Sequence, residues 1–228
     1  MSKNLFDCST EYEEMLNRGI RLSGEDKRFF IVGRICDLKR QLPRNFNPRR
    51  ILDFGCGIGD TTRILADTFP GAEVVGLDTA EKALAHAEKT FGSPHISFGL
   101  VQTFSETNVF DLCYVNGVFH HIQPRERLGV VEMIYKTLVR GGYFALFENN
   151  PWNPGTRLVM SRIPFDRDAQ PLTPLEARRL LREGGFAYCA PTRYLFYFPR
   201  LFAFLRFTEP WLARLPLGAQ YYICAVKE

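Results

Sequence analysis

The sequence has no run of about 18 uncharged apolar residues, so no segment reads as a membrane-spanning helix. It has no block of five or more lysines and arginines, and a net charge of only +4, so neither feature calls for a nucleic-acid partner. Its six cysteines, Cys8, Cys36, Cys56, Cys113, Cys189 and Cys224, never fall in the close pairs that a zinc site needs. A disulfide framework belongs to shorter secreted chains. The thiols therefore read as reduced and mostly buried, and no metal site is expected. The first residues lack the apolar core of a secretory signal, so the expected compartment is the cytoplasm. Low-complexity tracts and internal repeats are also missing. With 46% hydrophobic and 24% charged residues, the composition excludes a disordered or fibrous chain.

Phenylalanine is what the chain has in excess: 20, beside nine tyrosines and two tryptophans. The length of 228 residues fits one domain of about 150 residues with additions. Residues 1–48 read as a helical, polar-amphipathic segment. In it Ser23 is the expected cap of a helix opening at Gly24-Glu25-Asp26, and Phe29, Phe30, Ile31, Ile35 and Leu38 recur near helical period. Pro43 and Pro48 close this segment.

From Arg49 the pattern alternates. Strands are expected at 50–54, 73–77, 96–98, 110–115 and 143–147, with helices at 61–69, 80–91 and 124–139 between them. Such alternation predicts a parallel sheet covered on both faces. Thr173-Pro174-Leu175-Glu176 reads as a capped helix start, and extended stretches are expected near 186–197 and 219–227.

Asp53-Phe54-Gly55-Cys56-Gly57-Ile58-Gly59 stands between a strand and a helix. Glycines there allow a tight turn and close approach of a ligand to the backbone. Asp78 follows 19 residues after Gly59, at the tip of the second strand, where a carboxylate can accept from ribose hydroxyls. The spacing is G-x-G-x-G followed by Asp60. That suits a dinucleotide pyrophosphate poorly, and Asp53 suits a cationic or amino-bearing ligand.

Ile51 to Gly59 resembles motif I of class I S-adenosylmethionine (SAM)-dependent methyltransferases, and Val75-Gly76-Leu77-Asp78 resembles their motif II. Phe110-Asp111-Leu112 through His120-His121-Ile122 is similar to their fourth-strand motif, and Leu138 to Phe144 to their turn into strand five. The likeness covers roughly residues 49–148. It implies a Rossmann-like α/β fold: seven strands, mostly parallel with the last antiparallel, and helices on both faces. It implies SAM as cofactor, with Gly55, Gly57 and Gly59 at the methionine end, Asp53 and Asn116 beside it, and Asp78 on the ribose. The family's usual carboxylate after the third strand is missing, and Gln102 stands there as a substitute acceptor toward adenine.

Methyl transfer to oxygen or nitrogen needs a proton removed, which a neutral histidine does near pH 7. His120 and His121 follow the fourth strand, and either can be the base. Glu148 and Asn149 end the fifth strand and either orient the acceptor or, for Glu148, serve as base. Arg157, Arg162 and Arg167 read equally as contacts to an anionic acceptor or as solvated residues. The N-terminal segment, with Tyr12 and residues 18–26, is either a lid or a packing extension. In the family such segments often cover the SAM pocket.

Residues 194–212 hold eight aromatics, with Arg193, Arg200, Arg206 and Arg214 at steps close to seven. If helical, the arginines share one face. This 194–214 insertion packs on the sheet or a second copy, lines a pocket for a lipid-like or aromatic acceptor, or touches a membrane surface; Pro199 and Pro210 limit any helix there. The function expected is transfer of a methyl group to oxygen or nitrogen of a small, rather apolar acceptor. The rivals are a nicotinamide-dependent oxidoreductase and a non-catalytic SAM-binding or membrane-docking module.

Overall fold

The structure, a computed structural model, describes residues 19, 23–163 and 169–228. Tyr12, Arg18 and the stretch 164–168, which includes Arg167, lie outside them.

Strand β1 (Arg50–Phe54) is central and is followed by α2 (Asp60–Thr68), β2 (Glu73–Asp78), α3 (Glu81–Phe91) and β3 (Ile96–Leu100). After β4 (Phe110–Asn116) come α4 (Pro124–Thr137) and β5 (Leu138–Asn149), then α5 (Pro154–Arg162) and α6 (Pro174–Glu183). The strands pair in the order β3-β2-β1-β4-β5-β8-β6, parallel from β3 to β5. Strand β8 (Gln220–Val226) is antiparallel to β5. Its other edge takes both β6 (Tyr188–Cys189) and β7 (Arg193–Leu195). The sheet thus has eight strands against the seven expected, because the sixth ribbon is interrupted at Ala190-Pro191-Thr192. Pro191 has no N–H for the ladder, although Ala190 N–H still donates to Cys224 O at 2.8 Å.

Alternate side chains of each central strand enter opposite cores. Leu52, Phe54, Cys113, Val115 and Phe144 pack in the same core as residues of α4 and α6. Ile51, Leu112, Tyr114 and Phe147 pack with α2 and with α1 (Lys27–Gln41). Burial on both faces explains why these strands read as nearly continuous apolar runs.

The caps differ in part from expectation. Asp26, not Ser23, caps α1: its carboxylate accepts from Phe29 N–H at 2.7 Å, while Ser23 Oγ takes Glu25 N–H. The helix starts three residues later, and no acidic residue lies in its first turn. It stops at Gln41, before Leu42-Pro43, since the residue before proline avoids helical backbone. Asn153 caps α5 and Thr173 forms a capping box with Glu176. On α1, Asp37 accepts two hydrogen bonds from the Arg193 guanidinium, at 2.9 and 3.0 Å, and one from the Tyr222 hydroxyl at 2.8 Å. The N-terminal helix is thereby fastened to β7 and β8.

Between β7 and β8 the aromatic segment forms a 3-10 stretch, Arg200–Thr208, broken at Phe202, and then a short α7 (Glu209–Leu212). The arginines therefore do not share one helical face: Arg193 lies on β7, and only Arg200 and Arg206 lie in the 3-10 stretch. Among the described residues no helix is long and apolar enough to cross a membrane.

Candidate active site

The strand order reverses between β1 and β4, which opens a crevice at their carboxyl ends. A cavity of about 590 Å³ occupies that place. Asp53, Gly55, Gly57, Tyr114, Asn116 and Gly117 line its sheet side, and α1, α5 and the 196–206 segment line the rest.

The glycine loop has positive φ at Gly55, Gly57 and Gly59. At Gly59 a Cβ would come within 2.8 Å of the Phe98 ring and 3.1 Å of Ala87, so this glycine permits close packing of loop, β3 and α3. It does not line the cavity. Around Gly57 a Cβ would meet nothing within 4 Å, which leaves its backbone open to a ligand. Asp78 holds the loop from below: its carboxylate accepts from Gly57 N–H at 2.8 Å, Thr79 N–H at 2.7 Å and Ala80 N–H at 3.0 Å. A carboxylate has about four lone-pair sites, so one remains. Gln102 is exposed on a 3-10 turn, Val101–Thr103, outside the cavity.

Asp53 is buried and accepts from the Thr62 hydroxyl at 2.7 Å. Burial, with the Asp78 charge adding, pushes its carboxyl up to about 7, against the pull of the Thr62 hydrogen bond and Arg34. Arg34 reaches the cavity from α1; its guanidinium donates to the Tyr114 hydroxyl at 3.0 Å and to Gln220 Oε1 at 2.8 Å. Gln220 in turn donates to Asn149 Oδ1 at 3.1 Å, which places Asn149 on the cavity wall. Asn116 Oδ1 is buried there without a hydrogen-bond donor.

His120 and His121 sit on a 3-10 turn, Phe119–His121, with ring centroids 4.1 Å apart. Both line the cavity; His120 is buried and His121 exposed. Glu148 lies behind His120 and does not reach the cavity. Its Oε2 is 2.6 Å from His120 Nδ1, and its Oε1 accepts from Phe119 N–H at 2.8 Å. Burial works against the ionised form of Glu148, but the attraction and hydrogen bond of His120 outweigh it and hold the carboxyl below its usual range. An ionised carboxylate only accepts, so His120 Nδ1 carries a proton and Nε2 is the basic nitrogen of the neutral ring.

The remaining wall combines aromatic and aliphatic side chains with two ion pairs. Phe29, Phe30 and Phe196 meet with centroid distances of 4.9–5.8 Å, and Leu158, Val159 and Met160 of α5 also line the cavity. Its cations have partners: Lys27 with Asp60, and Arg206 with Glu25 at 2.9 Å, the Arg206 guanidinium also lying 4.5 Å from the Phe29 ring centroid.

Residues 52–144 match a family model described as a methyltransferase domain. The matched stretch runs from β1 into β5 and holds the glycine loop, Asp78 and the two adjacent histidines. It is 30% identical over 141 residues to a trans-aconitate 2-methyltransferase of Variovorax paradoxus, covering 60% of this chain and 54% of that one. Among solved structures, a SAM-dependent methyltransferase of Archaeoglobus fulgidus has a TM-score of 0.70 at 18% identity, over 95% of this chain and 100% of that chain. One of Mesorhizobium loti has 0.62 at 21%, over 84% and 96%. These likenesses concern the fold. The chain spans about half the length of the curated relatives it matches.

Within this methyltransferase fold the cavity gathers Asp53, Gly55, Gly57, Asn116, His120, His121 and Asn149 of the residues expected from sequence. Gly59, Asp78, Gln102 and Glu148 stand outside it. Sequence reading missed Arg34, Tyr114 and the Glu25–Arg206 pair. Arg34 had a signal: it falls between Ile31 and Leu38 on the apolar face of α1, where a charged residue needs a buried partner. The partners come from β4 and β8, which no local pattern shows.

Proposed function

We propose that the chain transfers the methyl group of SAM to an oxygen or nitrogen atom of a small, rather apolar acceptor. One observation carries this reading: a single cavity joins the glycine loop and Asp53 to His120 and to an aromatic wall.

The residues fit the cofactor. The undonated Asn116 Oδ1 and the buried Asp53 carboxyl are acceptors suited to its ammonium group. Arg34 is suited to its carboxylate, and the remaining Asp78 site to its ribose. When bound, SAM supplies an electrophilic methyl on a sulfonium. The cavity's part is to hold the acceptor atom in line with it, which provides much of the acceleration. His120 takes the acceptor's proton at Nε2, and Glu148 is the positioning residue that fixes the ring and stabilises the imidazolium. Of the three residues expected as base, His120 and His121 line the cavity, and Glu148 acts from behind His120.

The apolar acceptor follows from charge. Lys27 and Arg206 already face carboxylates, and Arg34 is committed to a cofactor carboxylate. A polycarboxylate such as the substrate named for the Variovorax relative would need further cations. Calorimetry with SAM and with NAD(H), followed by incubation with labelled SAM and an extract of apolar metabolites, tests the proposal. SAM binding and a labelled organic-soluble product are expected. Binding of NAD(H) without SAM would overturn it in favour of an oxidoreductase, and SAM binding without any product in favour of a binding module.

A further inference from the structure

We infer that the ridge formed by residues 200–217 docks the protein on an anionic phospholipid surface. Large apolar side chains are exposed there to an unusual degree: Leu201, Phe204, Phe207, Trp211 and Leu217 are 65–80% exposed. Elsewhere among the described residues, exposed large apolar side chains are few and scattered, apart from Trp152 and Leu158 on the adjoining 150–163 segment. That segment is tied to the ridge, because the Asn150 amide donates to Gly218 O at 2.8 Å and the Asn153 amide to Leu217 O at 2.6 Å.

Charge selects the partner. The 149–163 and 199–217 stretches together carry exposed Arg157, Arg162, Arg200 and Arg214, and a single carboxylate, Glu209. Glu209 is half-buried and turned inward, accepting from Tyr197 and Phe198 N–H at 3.2 and 3.1 Å. An apolar ridge rimmed by arginines and free of outward carboxylates complements an anionic bilayer surface, where aromatic rings sit at headgroup level and cations meet lipid phosphates. A second copy of the chain is a poorer fit. Leu201 to Phe204 are all exposed in succession, so the ridge projects in several directions instead of presenting one flat self-complementary face. The edge contact of Phe207 with Trp211, 6.3 Å between centroids, stiffens the ridge for insertion.

The same segment walls the cavity through Phe198, Pro199 and Arg206. An acceptor dissolved in the bilayer would therefore enter beside the docked ridge. That clause rests on the methyltransferase reading; the docking itself does not.

The test is co-sedimentation of the full chain with phosphatidylglycerol-containing vesicles and with pure phosphatidylcholine vesicles, with SAM affinity measured in parallel. Binding to the anionic vesicles, weakened by high salt, is expected. Phe204→Ser/Trp211→Ser should lose at least about tenfold, and Arg200→Gln/Arg214→Gln about fivefold per arginine, with SAM affinity kept in both. Absence of wild-type binding to anionic vesicles at low salt would overturn the proposal. So would variants that bind as wild type does, or a concentration-dependent dimer abolished by the aromatic variant.

Discussion

If Asp53 meets the ammonium group of SAM as proposed, the affinity for SAM should depend on pH. The Asp53 carboxyl is raised from 3.8 to about 7, chiefly by burial. At 1.36 kcal/mol per pH unit, this corresponds to about 4 kcal/mol. The folded protein keeps this proton to higher pH than the unfolded chain, so the group's contribution to stability is fully present below pH ~4 and is lost as pH rises to about 7. A bound ammonium reverses the preference, because a nearby cation favours the carboxylate. Below pH ~7, binding must then expel the proton, and affinity should fall by up to about tenfold per pH unit between pH ~7 and ~5. Calorimetry in two buffers of different ionisation enthalpy reads both the affinity and the proton released. Asp53→Asn should abolish the slope, lower affinity above pH ~7, and leave the free protein with a flatter pH–stability curve than the wild type. A wild-type affinity that is flat across this window, or an equal slope in the Asn variant, would refute the placement of Asp53 against the cofactor's cation.

Further outcomes follow from other contacts. His120→Ala should lower kcat by about 10²–10⁴-fold with SAM affinity little changed. Glu148→Gln should lower kcat too and alter its pH profile, since an amide can donate to Nδ1 and favour the wrong tautomer; steady-state kinetics of both variants against pH check this. Gly59→Ala should cost about 1–3 kcal/mol, because φ of +88° is unfavourable for alanine and its Cβ meets Phe98; urea unfolding measures it. Asp37→Ala should cost about 3–5 kcal/mol in the same assay by stranding Arg193 and removing the acceptor of Tyr222.

The motif stretch was legible because its information is local. Gly55 to Gly59 must turn tightly, the flanking strands are buried on both faces, and the connecting helices carry one apolar face; each constraint leaves a mark within a few neighbouring residues. Element ends were legible where the backbone chemistry is strong, as at Pro43 or the Thr173 capping box. They slipped where two candidates compete, as Ser23 and Asp26 do for the start of α1. Glu148 shows the limit for the site: it reads as a polar residue at a strand end, but only the packing of Phe119–His121 over β5 turns its carboxylate away from the cavity and onto His120.

Local sequence thus determined the α/β alternation, the place of the ligand loop and the kind of acidic partner it has, since steric and hydrogen-bonding demands there act over short stretches of chain. Tertiary structure decided which distant residues share the cavity. Arg34 meets Tyr114 and Gln220 across 80 and 186 positions, and Glu25 pairs with Arg206 across the two ends of the chain. It also decided that the phenylalanine excess divides: Phe29, Phe30, Phe196 and Phe198 line the cavity, while Phe204 and Phe207 face outward. A buried charge is stable only when some part of the fold supplies its counter-charge or hydrogen bonds, and an aromatic ring is indifferent to sequence distance from the surface that covers it. Those choices are made by the closing of the sheet.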